Sequence, residues 1–400
     1  MGSKWEDNEE IKIFREYLRI PSVHPDPDYE PCVEFLKKQA KEIGLKVEVF
    51  RTGNEKKPVV VLTWEGTEPS LPTILLNSHM DVVPVYQDKW TYPAFEAHID
   101  DQGRIYGRGS QDMKNVGMQY LSAIKAIKKS GSKVKRTIHI SFVPDEETGG
   151  ELGMKVFVET ENFRKLNVAY SLDESCAYPV NLSPVFYAER SSWVVTFKCT
   201  GPAGHGSQLI KNSAGEKLGF IINKMMELRK AYMDQTPMED LLKSGEGTTI
   251  NLTQVSGGML HNVVPNLLTV TFDIRVAIDE DHDKLTEKLQ GFCNEAGGGI
   301  ELEFSLKNPK FPATKIDDSN PFWVAFKAAV DEIGLPIVTV VSPGATDTRF
   351  LRSVGVLGLN FSPMPNTPIL LHAHDEFIHA DVYLKGIDIY KKILMKVGNI

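Results

Sequence analysis

The sequence predicts a two-domain chain: a large α/β domain on a mostly parallel sheet, interrupted by a smaller α+β domain of ferredoxin-like order. Three observations predict it. The chain has 400 residues, and single hydrophobic cores stop growing at about 250 to 300 residues. Amphipathic helical stretches alternate with short apolar runs through the first half, the rhythm of a buried sheet with helices on its faces. Near residue 190 that rhythm changes to βαββαβ and returns near 309, so the small domain reads as an insertion.

Each element follows in order. Helical spacing of apolar residues covers 8–18 and 31–43, and the runs Val59 to Leu62 and Thr73 to Leu76 read as buried strands. A glycine-punctuated loop after Tyr106 leads to a helix over 116–128, then to strands at Thr137 to Val143 and Tyr170 to Leu172. In the insertion, 190–308, strands are expected at 193–199, 248–255, 267–276 and 300–306, with helices at 214–232 and 281–296. The remainder, 309–400, resumes the first pattern with helices at 320–333 and 382–395 around strands at 337–341 and 356–359.

Composition excludes several classes. The formal net charge is −8, which repels polyanions and leaves no footprint for nucleic acid. The basic run Lys125 to Lys135 reads as the solvated end of a helix and its loop. No segment approaches the roughly 20 apolar residues of a membrane span, and the acidic start of the chain is unlike a secretory signal. The four cysteines are widely spaced, which excludes a C-x-x-C thiolate site and suits a reducing, cytoplasmic compartment.

Five acidic or histidine-bearing segments carry the chemistry: His79-Met80-Asp81, Gly107 to Lys114 with Asp112, Asp145-Glu146-Glu147, Asp173-Glu174, and His372-Ala373-His374-Asp375-Glu376. Four of them follow apolar runs, and ligands collect at the carboxyl edge of open α/β sheets. Taken singly each has a plainer reading: a surface His beside a loop Asp, a helix N-cap at Asp112, an exposed acidic turn at 145–147. Together they bring imidazoles and carboxylates to one edge, a donor set suited to Zn²⁺, with Co²⁺ or Mn²⁺ as substitutes.

The motifs SHMDVVP, GRGSQDMK, PDEETGG, SLDES and LLHAHDE, in this order, resemble the M20 metallopeptidase family over nearly the whole chain. YAERS, HNVVPN, FDIRVA and GATDTRF add to the resemblance. It implies a zinc-peptidase-like catalytic domain, a dimerisation or lid insertion, and two zinc ions per subunit. His79 and Glu174 would hold one ion, His372 and Glu147 the other, with Asp112 bridging; Asp173 and His374 stand as rivals for Glu174 and His372. Glu146 matches the general base and Asp81 the partner of His79. His205 would reach the oxyanion from the partner subunit of a homodimer. Asn262, Arg275 and Arg349 would face the substrate, although Arg349 can instead pair with Asp347. The implied reaction is hydrolysis of an N-acyl-L-amino acid by a water activated between the metals; a dipeptidase or carboxypeptidase of the family would share this centre. Met80 and Ser175 depart from the mammalian members beside the motifs, positions from which they would tune an acyl pocket.

Overall fold

The computed structural model describes residues 4–52, 54–236 and 242–400. Its elements run α1 (Glu9–Leu18), α2 (Glu30–Ile43), β1 (Lys46–Arg51), β2 (Pro58–Trp64), β3 (Thr73–His79), β4 (Arg104–Tyr106), α3 (Lys114–Lys129), β5 (Ile138–Val143), α4 (Met154–Val158), α5 (Glu161–Lys165), β6 (Val168–Asp173) and β7 (Ser183–Glu189). There follow β8 (Ser191–Thr200), β9 (Gly204–His205), α6 (Ala214–Met233), β10 (Thr249–Gly257), β11 (Val263–Val264), β12 (Leu267–Val276), α7 (His282–Glu295) and β13 (Ile300–Lys307). The chain closes with α8 (Pro321–Ile333), β14 (Ile337–Ser342), α9 (Thr348–Ser353), β15 (Leu357–Phe361), β16 (Phe377–His379) and α10 (Ala380–Val397).

Two compact units form. One comprises 1–187, 314–339 and 346–400; the other comprises 188–313 and 340–345. The large unit is built on an eight-stranded sheet of order β1-β2-β5-β3-β6-β15-β7-β14. Its centre, β5-β3-β6-β15, is parallel, whereas β2 and β7 run against it at the flanks. Both faces are apolar, as a sheet covered on both sides requires. Val60, Leu62, Ile74, Leu76, Ile140 and Phe142 face the main core with α1, α2, α3, α8 and α10. Their neighbours Val59, Val61, Leu75 and Val143 face a smaller cluster with α4, α5 and α9. Each fully buried side chain of this kind contributes roughly 1.5 to 3 kcal/mol.

One glycine fixes where α3 starts. A Cβ on Gly117 would stand 2.6 Å from Ser78 Oγ and 2.7 Å from Phe142 Cε1, so the helix lies against β3 and β5 where only a hydrogen fits. Gly117→Ala would wedge the helix away and displace the loop before it.

The small unit has an antiparallel sheet of order β10-β12-β8-β13. Numbered by position in the βαββαβ run this is 2-3-1-4, the split sandwich. Trp193, Phe197, Phe272 and Ile274 of the sheet pack with Ile221 and Met225 of α6 and Leu285 and Leu289 of α7. Strand β10 is an exposed edge. No helix among the described residues is long and apolar enough to cross a membrane.

Candidate metal centre

Three of the four central strands end in the residues that matter. His79 closes β3, Glu147 lies in the single 3-10 turn after β5, and Glu174 follows β6. Parallel neighbours ending at one level bring their side chains to one edge. Asp112 comes from the loop ahead of α3 and His372 from the loop after β15. The helix has Met113 as its N-cap residue and no side-chain cap, so the Asp112 carboxylate is not spent on the helix. It faces two imidazoles instead: Oδ1 is 3.0 Å from His79 Nε2 and Oδ2 is 3.2 Å from His372 Nε2. Glu174 Oε1 is 3.5 Å from His79 Nε2, and Glu147 Oε2 is 3.0 Å from His372 Nε2. Two clusters result, His79-Asp112-Glu174 and Asp112-Glu147-His372, each with its ligand atoms within 4.8 Å of one another. They share one carboxylate.

The donor set fits divalent cations. Burial pushes the Glu147 and Glu174 carboxyls above their usual range, and Asp112 beside them adds to the effect. Glu146 is raised as well, by burial and by Asp347 and Glu147 nearby. Burial opposes ionisation of Asp112 too, but hydrogen bonds from His372 and His79 hold its pKa below the ordinary value. Glu147 Oε1 is buried without a hydrogen-bond partner. Acids packed together and left short of partners are costly alone, and dications offset that cost.

The model of peptidase family M20/M25/M40 matches residues 75–396. The chain belongs to that family. It is 44% identical over 398 residues to aminoacylase-1 of Homo sapiens, covering 99% of this chain and 97% of that protein. Aminoacylase-1 of Dictyostelium discoideum is 43% identical over 407 residues, covering 98% of each. Among solved structures, an M20 family metallo-carboxypeptidase from Sulfolobus solfataricus superposes with a TM-score of 0.75 at 21% identity, over 98% of this chain and 99% of that one.

In this M20 chain the rival acids and imidazoles separate cleanly. Asp173 accepts from Asn77 Nδ2 at 3.2 Å, Thr348 Oγ1 at 2.8 Å and Glu174 N at 2.9 Å, which leaves Glu174 at the cluster. His374 stacks edge-on against Tyr86 and joins neither cluster. Asp81 is employed differently from the expectation. His79 Nδ1 is bonded to the Asp81 carbonyl at 2.8 Å, while the nearer carboxylate oxygen is 3.7 Å away. That carboxylate accepts from Glu146 N at 3.2 Å and Glu147 N at 3.0 Å, and His24 Nε2 lies 2.8 Å from it. Asp81 therefore fixes the turn that carries Glu146 and Glu147, and the peptide carbonyl orients His79.

Further residues singled out in the sequence have partners within the chain. Arg349 is 4% exposed and donates to the carbonyls of Thr346 at 2.6 Å and Gly149 at 2.7 Å, while its Nε is buried without a hydrogen-bond partner; it braces the Glu147 turn. Both Asp347 oxygens are buried without a hydrogen bond, so Arg349 acts on Asp347 through its charge alone. Arg275 holds Asp273 bidentately at 2.8 and 3.0 Å and Ser192 Oγ at 2.7 Å, which uses three of its five N–H donors within the small unit. Met80 is fully buried in the main core, and Ser175 donates to Pro184 O.

In the small unit His205 is exposed on β9, opposite Val263. Its Nδ1 accepts from Ser207 N at 3.2 Å, which leaves Nε2 free to donate. Asn262 is exposed in the same two-stranded element, its carbonyl accepting from Gly206 N at 2.8 Å.

Sequence reasoning missed His24 and the part played by Glu376. Glu376 is fully buried and accepts from Gln111 N at 2.6 Å, Gly109 N at 3.2 Å, Asp112 N at 3.3 Å and Arg108 Nη1 at 2.8 Å. It latches the loop that presents Asp112. An acid directly after a histidine cluster was the available signal; His24, isolated near the start of the chain, offered none.

Proposed function

We propose that this chain hydrolyses N-acyl-L-amino acids to a carboxylate and a free L-amino acid, on two zinc ions per subunit. The observation that carries the reading is Asp112, one carboxylate facing an imidazole with each oxygen at 3.0 and 3.2 Å. The full-length similarity to aminoacylase-1 supports the substrate class. His79, Asp112 and Glu174 would hold one ion, and Asp112, Glu147 and His372 the other; Co²⁺ or Mn²⁺ would substitute. Bound there, such ions supply Lewis acidity toward the acyl oxygen and a water acidified to near neutrality.

The chain's own residues do the rest. Glu146, held at its backbone N by Asp81, takes the water's proton and returns it to the leaving amine. His205 Nε2–H donates to the developing oxyanion from the partner subunit of a homodimer, a contribution of roughly 3 to 4 kcal/mol to the barrier. Asn262 stands beside it on the substrate side. The four cysteines are free and buried, which supports a reducing, cytoplasmic setting.

The test is turnover of N-acetyl-L-methionine against a panel of dipeptides, with zinc content measured on the same preparation. Release of methionine at two zinc ions per chain is expected. Cleavage of dipeptides alone would convert the reading to a peptidase of this family, and a metal-replete protein idle on both would overturn it. Mixing His205→Ala with Glu146→Ala protein should restore part of the activity; none after subunit exchange would end the shared-site reading.

A further inference from the structure

At the opposite end of the strands that carry the metal centre lies a cavity of about 640 Å³, within the range of small-molecule sites. Its lining is unlike a covered sheet. Lys46 on β1 lies opposite Thr63 on β2, and Thr63 opposite His139 on β5, so the three share one row on one face. That face also carries Leu75 beside His139 itself and, further along, Val61 and Val143, all in the smaller cluster with α4 and α5. Past the end of α5 it turns polar, while the other face stays apolar through Trp64, Ile74 and Ile138. Burial alone does not call for that change.

The polar floor is internally satisfied and the rim is basic. Thr63 Oγ1 lies 2.9 Å from His139 Nδ1. Lys46, Lys128 and Lys165 line the rim against one carboxylate, Glu65. Lys46 is paired with Glu48 at 3.0 Å, and Lys128 meets only the carbonyl of Gly44 at 2.8 Å. Lys165 makes no ion pair among the described residues. Ammonium groups at the mouth of a cavity, on a chain of net charge −8, focus a positive potential into it.

We infer that this cavity binds a small organic oxyanion, a carboxylate or phosphate group carried on a compact body, with Lys128 and Lys165 meeting its charge and Leu166 and Pro69 bordering the remainder. The site is independent of the proposed reaction. His139, buried and pushed down to about 4 by that burial, is its natural reporter, since an anion nearby favours the protonated ring.

The metal-loaded protein, ¹⁵N-labelled, is titrated with inorganic phosphate and separately with hexanoate while the ring signals of His139 are followed. Saturable shifts are expected with at least one anion, weakening as salt rises. Which anion saturates first assigns the headgroup. In Lys128→Met/Lys165→Met protein the apparent affinity should fall by about tenfold; Lys165→Met alone, at an exposed side chain, guards against misfolding of the double variant and should show an intermediate loss. Ring signals unmoved by both anions, or equal affinity in wild type and variants, would overturn the assignment.

Discussion

The two ends of one set of strands have opposite electrostatic character. At their carboxyl ends β3, β5 and β6 gather His79, Glu146, Glu147 and Glu174 around Asp112; toward their other ends a histidine and three lysines border the cavity. The difference lies in how each end meets its charge. At the first end carboxylates are buried together and one oxygen of Glu147 has no partner, a cost that divalent cations would offset. At the second the lysines sit at the rim in water, where unpaired charge costs little. Burial, more than sign, makes the first end demanding.

The largest effect should come from Asp112→Ala, which strips both clusters of their shared ligand. Metal content should drop and turnover should fall to background; full metal retention would separate the clusters and break the comparison. Glu146→Gln comes next. It should lower kcat by about 10² to 10⁴-fold with metal content unchanged, the range for a general base, and parallel loss of metal would instead make Glu146 a ligand. His24→Ala removes the support of Asp81 and should weaken metal binding by about 10- to 100-fold, as loss of an outer partner does; unchanged affinity would show that the two backbone N–H groups hold Asp81 unaided.

The smallest effect belongs to the basic end. His139 titrates near about 4 in the folded protein because of burial, against an ordinary value of 6.5. Below pH 6.5 the unfolded chain takes a proton that the folded chain refuses, so stability declines as pH falls toward 4. Between pH 7 and pH 5 wild type should lose about 2 kcal/mol more than His139→Gln, read from urea unfolding. Identical pH dependence in the two would show that the ring is solvated.

How much of this was legible follows from physical range. The strand-end rule located the edge where the five segments meet, because period and chain order are local properties. The ferredoxin-like order of the small unit was readable for the same reason. The choice between Asp173 and Glu174 was not, since adjacent residues at a strand end point to opposite sides and only the register decides which meets Asn77. The partners of Arg275 and Arg349 within the chain were not readable either, because a guanidinium's partner is set by tertiary contact: Gly149 lies two hundred positions before Arg349. That Asp81 meets His79 was readable from the H-x-D spacing, but not that its carbonyl makes the nearer contact.

The latch at Glu376 has a consequence for biogenesis. The loop bearing Asp112 is fastened by a residue 264 positions later in the sequence, so the Asp112 carboxylate is held in place only after both segments have emerged and met. A polypeptide cut short before Glu376 would keep most strands of the large sheet and lack the side chain that holds this loop.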